Sequence, residues 1–130
     1  MILFILEDQY TPKISKEIIS IDNSFKIPIK WNIKNPSDYI NIINEIKEDF
    51  IILLDNYFPW TWYPEPLWNL FLEELLKTGK NYKIVCISDR GKRLLEDYDN
   101  WQKANQKWWI LWWSVNKDGK EVYQTIKELI

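Results

Sequence analysis

The chain has no histidine, a single cysteine, three glycines and no long apolar run. Each shortage excludes something. Without histidine there is no His-ligated zinc site, no imidazole general base and no histidine of a phosphorelay. With Cys86 alone there is no internal disulfide, which fits a reducing compartment. The glycine-rich loops that cradle phosphate or a dinucleotide are missing, since neither a P-loop nor the glycines of a dinucleotide turn are present. No apolar stretch reaches the length of a membrane span. The apolar segment Ile2–Leu6 runs straight into Glu7 and Asp8 without a basic lead-in or a small-residue cleavage site, so it does not read as a signal peptide. The expectation is a cytoplasmic protein with no membrane and no nucleic-acid partner.

What remains is 130 residues with a net charge of −2 and nine tryptophans. That length suits one domain, 1–130, with material for a real core. Acidic residues are in excess in the first 78 positions and basic residues in the last 52, but no dense basic patch forms. The tryptophans are the compositional anomaly. Indole fills cores, but its N–H needs a partner and it is favoured at interfaces.

Hydrophobic periodicity predicts five strands alternating with five helices. Ile2–Leu6 reads as a buried strand. Thr11-Pro12 caps a helix carrying Ile14, Ile18 and Ile19. Phe25–Trp31 has strand character weakened by Pro28, which suits an edge. Asn35-Pro36 opens a helix with Ile40, Ile43 and Ile46 on one face. Phe50–Leu54 is the clearest strand, continuous and uncharged, as a strand covered on both faces should be. After a loop over 56–66, a helix runs from about Pro66 to Lys77, and Lys83–Ile87 is a fourth strand. Residues 92–106 are expected to be helical and Trp108–Trp113 to form a fifth strand. Asn116–Gly119 reads as a turn, and residues 120–129 as a last helix. Helix-length connections between short apolar strands imply a (βα)₅ α/β sandwich with a parallel sheet and right-handed crossovers.

Parallel strands all end at one edge, where functional groups gather. Glu7 and Asp8 follow the first strand, Asp55 the third and Ser88 the fourth. Three carboxylates in one pocket raise one another's pKa values unless a cation neutralises them, and Mg²⁺ is the economical occupant. Asp55 is a candidate nucleophile toward phosphorus, with Ser88 donating to a phosphoryl oxygen. The alternative reading is that these residues are solvated strand-end caps.

These residues resemble the receiver domain of bacterial response regulators. The likeness runs through Ile2–Asp8, Ile51–Pro59 and Lys83–Ser88 and covers nearly the whole chain. It implies a flavodoxin-like, five-stranded sheet in the order 2-1-3-4-5 and a role in two-component signalling. By that likeness Glu7, Asp8, Asp55 and the carbonyl of Tyr57 would hold Mg²⁺. Asp55 would be the phosphoacceptor of a phosphoprotein, Ser88 the switch hydroxyl and a histidine kinase the donor. Three features depart from the pattern. Trp112-Trp113-Ser114-Val115 lacks the family's lysine, Asp89 follows the switch hydroxyl in place of a small residue, and the loop after Asp55 is long and aromatic. The resemblance is therefore to an atypical or pseudo-receiver.

Trp60 and Trp62 lie among prolines beside the expected pocket, where they would either bind a partner or patch the core. Strand alternation puts Trp108, Ile110 and Trp112 on one face and Trp109, Leu111 and Trp113 on the other. Core packing accounts for most of these rings, while Trp101, Trp109, Trp113 and Tyr123 are candidates for an apolar contact patch. The resemblance implies a partner or homodimer surface over the fourth helix, fifth strand and fifth helix. The sequence thus leads to a non-catalytic, receiver-like signalling domain. Its rivals are a phosphorylation-independent interaction module and a small Mg²⁺-dependent phosphotransfer or hydrolytic enzyme.

Overall fold

A computed structural model describes residues 2–6, 11–27, 36–54, 67–87, 97–115 and 118–129. Four strands and five helices follow along these: β1 (Ile2–Leu6), α1 (Thr11–Ile21), α2 (Pro36–Glu45), β2 (Phe50–Leu54), α3 (Leu67–Lys77), β3 (Ile84–Ile87), α4 (Asp99–Gln106), β4 (Ile110–Val115) and α5 (Gly119–Leu129). The strands form one parallel sheet in the order β1-β2-β3-β4.

The uncharged runs of β2 and β3 explain the layering. Successive side chains on a strand point to opposite faces, so each of these strands supplies two cores. Ile52 and Leu54 of β2, with Ile84 and Cys86 of β3, pack against Ile40 and Ile43 of α2 and Phe71, Leu72 and Leu75 of α3. Trp101 and Ala104 of α4 complete that side. Ile51 and Leu53, with Val85 and Ile87, face Ile14 and Ile18 of α1 and Val122 and Ile126 of α5. Residues 51–54 and 84–87 are all fully buried.

Among the described residues, the five-stranded flavodoxin-like sheet expected from sequence is not present. The sheet there has four strands. The segment expected to be the second strand, Phe25–Trp31, contributes a single bridge, Lys26 to Ile2, and its part from Pro28 onward lies outside the described residues. A physical reason is visible at its start. Phe25 is buried in the α1/α5 core, edge-on to Tyr123 at 5.9 Å, and Lys26 turns out to an ion pair with Glu48 at 2.9 Å. In its described part, Phe25 packs in the core while pairing is limited to the one bridge at Lys26.

Two further boundaries move. The helix expected over 92–106 is described as Asp99–Gln106, with 88–96 outside the described residues. The last strand begins at Ile110, not Trp108. The cause of that shift lies at the C-terminal end of α4.

Candidate functional site

Helix α4 ends in a Schellman motif, in which two carbonyls left over by the helix accept main-chain N–H groups from beyond its end. The N–H of Trp109 donates to the Ala104 carbonyl at 3.1 Å, and that of Trp108 to the Asn105 carbonyl at 3.0 Å. The motif requires a left-handed residue at the position of Trp108, and its φ is 64°. Glycine normally takes that place because it has no Cβ to clash with the following carbonyl. Gly79 does so beyond α3, with φ of 72°. Here a tryptophan does it, at a cost of roughly 1–2 kcal/mol for a left-handed L-residue.

The two neighbouring indoles have opposite fates. Trp109, next after the left-handed residue, is 2% exposed and packs in the same core as Ala104, the apolar contact that accompanies this cap. Its Nε1 donates to Asn81 Oδ1 at 3.1 Å, and its ring meets Tyr82 edge-on at 5.1 Å. Lys107 Nζ lies 5.9 Å from its ring centre. Tyr82 is tied in turn to Thr78, hydroxyl to hydroxyl at 2.8 Å. Trp108 projects the other way and is 88% exposed.

Strand β4 follows directly. The Ile84 N–H donates to the Trp109 carbonyl at 2.8 Å, and the pairing of β3 with β4 then shifts register on either side of Val85. Among the described residues no strand pairs with the outer side of β4. Trp112, near its centre, is 45% exposed. Two large indoles thus lie at the surface within five positions of each other, one just before an edge strand and one on it.

The residues expected to form a site distribute differently. Glu7, Asp8, Asp55, Tyr57, Trp60, Trp62 and Ser88 lie outside the described residues. Leu6 and Leu54, which precede Glu7 and Asp55, are register partners on adjacent strands. Trp101 is 2% exposed in the α2/α3/α4 core, so it is not a surface ring, and the same holds for Trp109. Trp113 belongs to β4, but its side chain is not among those described. Tyr123 is half-buried and serves the fold: it packs on Phe25 and donates its hydroxyl to Asp22 Oδ2 at 3.2 Å. Trp108, which stands out most in the structure, was absent from the expected contact residues. Its signal was a Trp-Trp pair straight after a helix, where only one ring can turn inward.

Asp22 accepts hydrogen bonds from the Ser24 hydroxyl at 2.6 Å and the Ser24 N–H at 3.0 Å. These bonds, chiefly the hydroxyl's, hold its carboxyl below the usual carboxylate range. Tyr123 is shifted upward, first by desolvation and then by the Asp22 charge. A shallow pocket of about 150 Å³ opens between the starts of β2 and β3, lined by Glu48, Asp49, Phe50, Asn81, Tyr82 and Lys83. That is below the size usual for small-molecule sites. Among the described residues no group of three or more Cys, Asp or Glu side chains is placed to hold a metal ion. No described helix is long and apolar enough to cross a membrane.

No family model, curated protein or solved structure matches the chain. The four-stranded sheet overturns the resemblance to receivers, and with it the signalling role, in both its phosphorylated and pseudo-receiver forms, that the resemblance implied. The phosphotransfer or hydrolytic alternative rests on Glu7, Asp8, Asp55 and Ser88, which lie outside the described residues.

Proposed function

We propose that this chain is a protein-binding domain whose contact surface is the outer side of β4 together with the turn that leads into it. One observation carries this reading: Trp108 is held left-handed and 88% exposed. A residue that costs the fold stability and packs against little of it contributes elsewhere. Tryptophan is the side chain most enriched at the energetic centres of interfaces, and Trp112 extends the apolar surface along the strand. The neighbouring Trp109 anchors the turn from beneath, so Trp108 is presented on a fixed backbone and loses little freedom on binding.

Site-specific photo-cross-linking in the source cells tests this. A photoreactive residue at position 108 is expected to give one adduct of defined mass, identified by mass spectrometry. The same residue at exposed Lys16 on α1 is expected to give none. Equal, diffuse labelling from both positions would contradict the reading.

A second, narrower reading concerns a cation. The register pairing of Leu6 with Leu54 favours it, because Glu7-Asp8 and Asp55 are the next residues after those two partners. We infer that these carboxylates bind Mg²⁺. Calorimetric titration with Mg²⁺ is expected to give a saturable heat that Asp55→Asn removes, and no such heat would overturn this reading.

A further inference from the structure

An aspartate followed by glycine is among the least stable links of an unfolded chain, because glycine has no Cβ to keep the carboxyl away from the next nitrogen. That nitrogen attacks the γ-carbon of the protonated carboxyl. The N–H proton and the carboxyl hydroxyl leave as water, and a five-membered succinimide closes. Water then adds to the ring and breaks one of its two C–N bonds. Breaking the bond to the main-chain carbonyl carbon leaves isoaspartate, in which the chain runs through the side-chain carbon. Asp118-Gly119, where α5 begins, is such a link.

We propose that Asp118-Gly119 is a latent isomerisation site that the Glu17 carboxylate seals in the folded chain, so that it converts when α5 parts from α1. Ring closure needs the Gly119 nitrogen to shed its proton and turn toward the Asp118 carboxyl. In the folded chain that N–H is held by Glu17 Oε2 at 2.9 Å, and Lys13 Nζ lies 3.9 Å from Glu17 Oε1. Gly119 is buried, and the Glu17 stem lies too close to it for even a methyl group. The nitrogen therefore cannot swing outward while the two helices stay in contact. Asp118 is exposed, but its carboxyl is also engaged: Oδ1 accepts the Lys120 N–H at 2.9 Å as the N-cap of α5. Its main-chain carbonyl accepts the Val122 N–H at 2.9 Å. Isoaspartate adds a methylene to the main chain and displaces both acceptors, and Val122 is a fully buried residue of the α1/α5 core. Local opening of α5 permits the conversion, and the product then opposes reclosure.

The test is to age the whole chain in warm, mildly acidic buffer and to follow isoaspartate at position 118 by peptide mapping with electron-transfer fragmentation. The folded chain is expected to convert more slowly than the same chain unfolded in urea. Glu17→Ala, kept under conditions where circular dichroism shows it folded, is expected to convert about tenfold faster than the native chain, the factor that one hydrogen bond to a charged group is worth. Glu17→Gln keeps an acceptor oxygen and is expected to stay near the native rate. Asn81→Ala weakens the fold on the other face of the sheet and is expected to leave the rate unchanged, which separates the seal from general destabilisation. Equal conversion in the folded and urea-unfolded native chain overturns the proposal without any variant. Equal rates for the native chain and folded Glu17→Ala overturn it as well, as does an Asn81→Ala rate that rises as much as that of Glu17→Ala.

Discussion

The main-chain N–H of Gly119, first residue of α5, donates to the carboxylate of Glu17 on α1 at 2.9 Å, across 102 positions of sequence. The two helices meet so closely that a Cβ on Gly119 would lie 2.5 Å from the Glu17 Cβ and 3.1 Å from the Ile14 carbonyl oxygen. The glycine is there for space. Gly119→Ala is expected to push the helices apart and to cost about 1–3 kcal/mol, as overpacking does. Urea denaturation measures it, and an unchanged midpoint would show that the contact is looser than described.

The turn beneath Trp108 depends on Asn81. Its side-chain oxygen accepts from Trp109 Nε1, and Asn81→Ala would leave that indole N–H without this partner in a part-buried position. The expected loss is about 1–3 kcal/mol. Trp109→Ala, which empties a core position, is expected to cost more, about 3–5 kcal/mol. Equal losses from the two substitutions would show that the ring's packing contributes little beyond its hydrogen bond.

Much of the framework was legible from residue pattern. The uncharged run Phe50–Leu54 is a central strand, and Thr11-Pro12 opens a helix whose Ile14 and Ile18 are buried. Patterns of this kind report local burial. They do not report which segments pair, and Phe25–Trp31 shows the difference, because its apolar residues satisfied strand periodicity while Phe25 is used for packing. The start of β4 was misplaced for another reason. A left-handed position is inferred from glycine or asparagine, so a tryptophan there reads as strand. Gly119 was read as a turn residue for the converse reason, because close helix contact leaves no mark in the local sequence. The acidic residues at the strand ends were the strongest chemical signal, and they fall outside the described residues.

Asp22 and Tyr123 predict opposite pH responses. The folded carboxyl of Asp22 lies below its ordinary value, mainly through the Ser24 hydroxyl. Its contribution to stability is therefore present above the ordinary carboxylate value and is lost as pH falls through the lowered one. Tyr123 is raised by desolvation and by Asp22. Its contribution is present below the ordinary phenol value and is lost as pH rises through the raised one. Ser24→Ala is expected to move Asp22 upward, and Asp22→Asn to move Tyr123 downward, both measurable by NMR titration. Independent titrations unaffected by these changes would separate the two groups.

The central claim is that Trp108 is kept for a partner and not for the fold. Trp108→Gly tests it most directly, because glycine adopts the left-handed conformation without strain. Chemical denaturation of the monomeric chain is predicted to show a higher midpoint, by about 1 kcal/mol of added stability, with an unchanged slope. A lower midpoint would mean that the indole supports the folded chain itself, and would contradict the reading of this edge as a binding surface.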